Sequence, residues 1–236
     1  MKKIIFLICI LSTISFKAQS IIGAWETFTT SKNGEEIKNV VIFTEAYQVL
    51  TTYNAKTGKF IHTQGGKWKL DNDIMTENLE FNSNNSELIG VETSFKVIIT
   101  KNKIKVLTQN IELNRIDNGK PGELQGAWLM SGRIKDGKTQ LRDTSRPRKT
   151  MKILSGTRFQ WIAYNTETKQ FMGTGGGTYT TIDGKYTENI EFFSKDNTKV
   201  GLSLDFNYEL TDGNWNHTGF SSKGAPIHEI WSIRKN

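Results

Sequence analysis

Thr187-Glu188-Asn189-Ile190-Glu191-Phe192 repeats Thr76-Glu77-Asn78-Leu79-Glu80-Phe81, and the spacing between them holds far outside these six positions. Residues 53–100 lie on residues 164–211 without a gap. Tyr53-Asn54 falls on Tyr164-Asn165, Gly65-Gly66 on Gly176-Gly177, and Gly90 and Phe95 on Gly201 and Phe206. Each copy opens with the same tripeptide, Gly23-Ala24-Trp25 and Gly126-Ala127-Trp128. Self-similarity on this scale means two domains of similar size rather than a solenoid of short units. The division falls in Asp117-Asn118-Gly119-Lys120-Pro121-Gly122, where turn formers concentrate, giving domains at 19–119 and 120–236.

Inside each copy the apolar residues alternate. Val200, Leu202, Leu204, Phe206 and Tyr208 are interleaved with Gly201, Ser203, Asp205, Asn207 and Glu209, the pattern of a half-buried strand. Strands are expected at 124–133, 148–154, 158–164, 171–181, 185–193, 199–210, 213–219 and 227–234. Asp183-Gly184 and Asp212-Gly213 mark hairpin turns between them. No helical period follows residue 20. About eight short antiparallel strands per copy predict an all-β chain of two tandem up-and-down barrels, with a sandwich as the competing architecture.

The ends of the copies carry a family likeness. Gly23-Ala24-Trp25 with Arg115, and Gly126-Ala127-Trp128 with Arg234, resemble the lipocalin pattern of Gly-x-Trp on the first strand and an arginine from the last strand packed over that tryptophan. Gly175-Gly176-Gly177-Thr178-Tyr179 and Tyr186-Thr187-Glu188-Asn189-Ile190-Glu191-Phe192 are similar to stretches of lipocalin-like secreted bacterial proteins of unknown function. The resemblance implies a calycin-type barrel and names no activity. It assigns the Trp and Arg positions to structure.

Residues 1–18 read as a secretory leader: Lys2 and Lys3, then an apolar run from Ile4 to Ile14, with cleavage near Ala18. The run is too short to span a bilayer, so no membrane span is expected, and the mature protein is placed in the periplasm or medium. Cys9 lies in the leader, which excludes disulfides, thiolate metal sites and a cysteine nucleophile from the rest. Of the formal charge of +7, Lys2, Lys3 and Lys17 supply three and residues 1–18 hold no acid, leaving +4. The cluster Arg146, Arg148, Lys149 and Lys152 lacks interleaved aromatics and reads as a solvated loop, not a nucleic-acid surface.

Candidate chemistry comes from alternation. Tyr186, Glu188, Ile190 and Phe192 share one face of their strand, and Ile227, Glu229, Trp231 and Ile233 share a face of the last strand, so each face holds one carboxylate among apolar neighbours. Such a group must find partners or take up a proton, and both occur at functional sites. Glu77 and Glu112 stand in the matching places of the first copy, which favours a structural acceptor over a catalytic one. Where the copies differ, Leu50, Thr93 and Val97 give way to Trp161, Leu204 and Tyr208, and Trp68 to Tyr179. His217 has no evident counterpart, and taken alone it reads first as a satisfied core histidine.

Gly173 to Gly177 has no helix after it and reads as a strand bend, not a phosphate cradle. His62, His217 and His228 have no metal-ligand spacing, so neither a metal nor a cofactor is expected. The leading expectation is a non-enzymatic binding protein that holds a small apolar or amphipathic molecule in the second barrel. Trp161, Tyr179, Glu188, Leu204, Tyr208, His217, Glu229 and Trp231 are the candidate ligand residues. The alternatives are an acid–base enzyme (isomerase, hydratase or hydrolase) using Glu188 and Glu229 with His217 or Tyr179, and a module presenting loops to a protein or glycan.

Overall fold

The structure is a computed structural model that describes residues 21–117 and 120–235; the expected leader and residues 118–119 of the division lie outside them. The first barrel runs β1 (Gly23–Thr30), β2 (Glu36–Phe43), β3 (Tyr47–Asn54), β4 (Phe60–Asp71), β5 (Ile74–Asn82), β6 (Glu92–Ile99), β7 (Lys103–Val106) and β8 (Ile111–Arg115). Each strand pairs with the next antiparallel, and β8 closes on β1. The second runs β9 (Gly126–Lys135), β10 (Lys138–Leu141), β11 (Arg148–Leu154), β12 (Arg158–Asn165), β13 (Phe171–Ile182), β14 (Lys185–Phe193), β15 (Ser203–Thr211), β16 (Asn214–Phe220) and β17 (Pro226–Ile233), with β17 closing on β9. The chain is thus two closed eight-stranded antiparallel barrels in tandem, and β10 is a ninth strand paired only with the far half of β9.

Turn chemistry sets the hairpins. Asp183-Gly184 and Asp212-Gly213 take φ of 50°, 74°, 52° and 75°, the left-handed pair that a two-residue hairpin needs. Two expectations need correction. The strand expected from 199 starts at Ser203, because residues 197–199 form a 3-10 turn capped by the Asp196 carboxylate, leaving Val200 and Leu202 outside the sheet. No strand was expected at β10, where all four side chains are exposed and no apolar alternation exists.

The paired glycines mark a bulge in both copies. A Cβ on Gly66 would lie 2.1 Å from the Asn78 carbonyl, and one on Gly177 would lie 2.0 Å from the Asn189 carbonyl. The register slips beside each, so Glu80 and Glu191 are the extra residues on the facing strands. Beyond the slip the faces exchange. Phe192 therefore leaves the face of Tyr186, Glu188 and Ile190, contrary to the alternation, and turns outward.

What it meets there is the other barrel. Val40, Ile42, Val49, Tyr53 and Phe81 of the first barrel form one buried cluster with Met151, Ile153, Ile162, Tyr164 and Phe192 of the second. The Tyr53 hydroxyl donates to Glu191 at 2.6 Å, and the Tyr164 hydroxyl donates to Glu80 at 2.7 Å. The Phe60 and Phe171 rings stack 6.1 Å apart. Each residue meets the counterpart of its own partner, which is the logic of a two-fold interface made within one chain. The re-aimed bulge glutamates are its polar anchors.

The expected arginine-over-tryptophan packing holds in the first barrel and not in the second. Trp25 faces Arg115 across β1 and β8, with the guanidinium 3.9 Å from the indole. Trp128 faces Ile233, because a register shift between Ile230 and Trp231 moves Arg234 by one residue to the opposite face. Arg234 therefore does not cover Trp128. Its guanidinium reaches Glu80 at 2.8 Å and the Tyr164 hydroxyl at 3.0 Å in the contact between barrels.

Candidate functional site

A cavity of about 230 Å³ opens inside the second barrel. Six of the eight expected residues line it: Trp161, Glu188, Leu204, His217, Glu229 and Trp231. Tyr179 and Tyr208 do not. The Tyr179 hydroxyl donates to the Ser155 carbonyl at 2.6 Å and the Tyr208 hydroxyl to Glu123 at 2.5 Å, so both are spent on loops at 122–124 and 155–157.

A residue that sequence reasoning assigned to a solvated loop forms the centre of this interior. On β11, Met151 and Ile153 face the first barrel, which turns Lys152 and Leu154 inward. Lys152 is 4% exposed, and its Nζ donates to Glu188 Oε1 at 2.8 Å. The ammonium also lies 4.9 Å from the Trp215 ring, 5.1 Å from Tyr186, 5.2 Å from Trp231 and 5.8 Å from Phe206. Four ring faces and a carboxylate replace the water that an ammonium would otherwise hold. A lysine flanked by Met151, Ile153 and Leu154 was the available signal. Of the remaining cluster, Arg146 and Arg148 are exposed and Lys149 is half-buried, bonded to the Thr144 carbonyl.

His217 and Glu229 face each other across β16 and β17. His217 Nδ1 lies 3.2 Å from Glu229 Oε2, which also accepts from Trp231 Nε1 at 3.1 Å. Burial and the nearby Lys152 charge push the imidazole below its ordinary value, against the pull of Glu229. For Glu229, burial acts upward but is outweighed by the His217 hydrogen bond and the Lys152 charge, so its carboxyl sits low. The pair is therefore a neutral imidazole donating from Nδ1 to a carboxylate. Nε2 is then a lone-pair acceptor with no partner among the described residues.

Register also corrects the pairing of the copies. Val106 stands opposite Ile111 as His217 stands opposite Glu229, so the counterparts of the dyad are Val106 and Ile111. Glu112 is not the equivalent of Glu229; it faces out and pairs with Lys103 at the surface. Glu77 and Glu188 do correspond, opposite Trp68 and Tyr179. Among the described residues no group of three His, Cys, Asp or Glu could hold a metal ion, and no helix is long and apolar enough to cross a membrane.

A search of curated proteins finds no match to the chain. Residues 123–234, which take in almost all of the second barrel, match a family described as a domain of unknown function, DUF4488.

Proposed function

We propose that the protein is an exported, lipocalin-like binding protein that holds a small amphipathic molecule in the second barrel. The observation that carries this reading is the convergence of Trp161, Leu204, His217, Glu229 and Trp231 on one cavity of about 230 Å³. Apolar walls with a few placed polar groups are the usual composition of a small-molecule pocket, and roughly 150 Å³ already admits benzene. The unpartnered His217 Nε2 would accept a hydroxyl or N–H of the ligand. A leader of charged, apolar and small segments supports export, and mature chain beginning near Gln19 in periplasm or medium would bear that out.

The test is fluorescence titration of the intact chain with anilinonaphthalene sulfonate, beside native mass spectrometry for a co-purified molecule. Trp161→Leu and His217→Val install the first barrel's own residues, and each should weaken the probe several-fold. Unchanged affinity in both would leave the aromatic cluster as ordinary packing.

A second reading, acid–base catalysis, is favoured by one arrangement: a neutral imidazole backed by a low-pKa carboxylate and lining a cavity. Glu188, bound to Lys152, is less suited than Glu229 to the role. Ester hydrolysis that His217→Gln abolishes while probe binding persists would select this reading.

A further inference from the structure

The first barrel has its own cavity, also about 230 Å³, walled by Leu50, Met75, Phe95, Val97 and Ile104. Among the polar side chains that also line it, Glu77 and Gln48 stand out. Glu77 is half-buried and takes part in no ion pair among the described residues. Gln48 is 1% exposed, and neither its Oε1 nor its Nε2 has a partner among the described residues. A buried amide with four unmet hydrogen-bonding positions is costly unless something else meets them.

The second barrel shows what belongs there. Glu77 corresponds to Glu188, and Val41 corresponds to Lys152: Val41 pairs with Trp25 and Leu50 as Lys152 pairs with Trp128 and Trp161. In the second barrel the ammonium that neutralises the glutamate arrives on the chain itself. In the first, the glutamate is kept, the lysine is replaced by a shorter apolar side chain, and the apolar wall is aliphatic apart from Phe43 and Phe95. We propose that the first barrel is a separate binding site for an organic cation, a primary amine with a short apolar body. Its ammonium pairs with Glu77 where Lys152 pairs with Glu188, and its body fills the aliphatic cavity. This site is independent of whatever the second barrel holds. Burial lifts the Glu77 carboxyl to about 7, and it is the one titratable side chain among those lining the cavity, so an arriving ammonium would displace its proton.

Calorimetric titration of the full chain with n-octylamine, 1-octanol and octanoate tests the assignment. The amine should bind about tenfold or more tighter than the alcohol, and octanoate most weakly, since a charge-assisted bond outweighs a neutral one. At pH 6.5 amine binding should release protons, read by repeating the titration in buffers of different ionisation enthalpy. Glu77→Gln, close to isosteric, should erase both the preference and the proton release. Val41→Lys should abolish amine binding by supplying the ammonium from within. Equal affinity for the three probes overturns the proposal, as does an amine preference that survives Glu77→Gln. Loss of amine binding in Trp161→Leu with Glu77 intact would do the same, by placing the amine in the second barrel, whose cavity Trp161 lines.

Discussion

Where the first barrel carries Val41, Val106 and Ile111, the second carries Lys152, His217 and Glu229, and at those three places the second interior gains titratable groups that the first lacks. The frames differ only in the added strand β10 and in the register of the closing strand. Both keep the bulge glycines, the re-aimed glutamate, and a tryptophan whose Nε1 bonds back to the carbonyl four residues earlier, Ile21 or Leu124. Both also keep a carboxylate in the lumen, and they solve its burial in opposite ways. Glu188 has a cation beside it, whereas Glu77 is held closer to its neutral form by burial alone. What the fold requires is therefore the tryptophan, the bulge and the shared outer face, while the lumen is free to vary.

The largest perturbation removes one member of the comparison. Residues 120–236 alone would expose Met151, Ile153, Ile162 and Tyr164, each fully buried against the first barrel. Because that face meets its own counterpart in the intact chain, the isolated second barrel should dimerise through it, and Ile162→Lys should return it to a monomer. Sedimentation equilibrium distinguishes the cases; a monomeric wild-type fragment would show that the contact depends on features only the first copy has.

Next comes the lumen cation. Lys152→Val copies the first barrel into the second and strands Glu188 at 5% exposure, which should cost about 3–5 kcal/mol in urea unfolding of the full chain. Adding Glu188→Gln should recover most of that loss by removing the unpaired charge. If Lys152→Val is harmless, the two barrels handle a buried carboxylate alike.

The reciprocal experiment concerns Glu77. Its folded pKa of about 7 stands above the ordinary 4.5, so the folded state holds a proton that the unfolded chain releases between those values. The stability this group contributes is complete below pH 4.5 and is lost as pH rises toward 7. Glu77→Gln removes the dependence. It should leave stability unchanged near pH 4.5 and raise it by about 1–3 kcal/mol at pH 8 relative to wild type, as read by denaturant midpoints across pH. A variant no more stable than wild type at pH 8 as well as at pH 4.5 would show that the carboxyl finds partners on ionisation.

Much of this architecture was legible because alternation and self-similarity are local properties of the chain. The strand at 148–154 met its expectation, and alternation set Glu188 and Glu229 each on an apolar face, which the structure brings together with His217 in one lumen. The contact between barrels was written in Val40-Val41-Ile42-Phe43, apolar on both faces, but a two-faced strand is also what a thick core produces. Lys152 was hidden by composition, since three basic neighbours suggested solvent. Arg234 and Phe192 were misassigned for one reason: a bulge changes which face follows it, and only register reveals where the slip falls. Tyr179 and Tyr208 share the inward face with the site residues, yet their hydroxyls are taken by loops, and alternation carries no information on depth within a barrel.

The smallest expected effect tests the corrected pairing of the copies. Glu112 and Glu229 sit near the same point of their last strands, and spacing alone makes them equivalents. In the structure Glu112 faces solvent against Lys103, with half of each side chain exposed. An exposed pair of this kind is worth roughly 0–1 kcal/mol, so Glu112→Gln should shift stability by no more than about 0.5 kcal/mol, and less at high salt. Glu229→Gln is a different change, because the carboxylate accepts from both the buried His217 ring and the Trp231 indole. Replacing it with an amide weakens two charge-assisted bonds in a poorly solvated place and should cost about 1–3 kcal/mol at pH 7. That cost should shrink below pH 4.5, since the folded Glu229 pKa is depressed and its contribution is lost as pH falls through it. Guanidinium melts of the two variants at pH 7 and pH 4 give all four values. Similar losses for both residues would restore the equivalence that spacing suggests, and would mean that the last strands of the two barrels share one register after all.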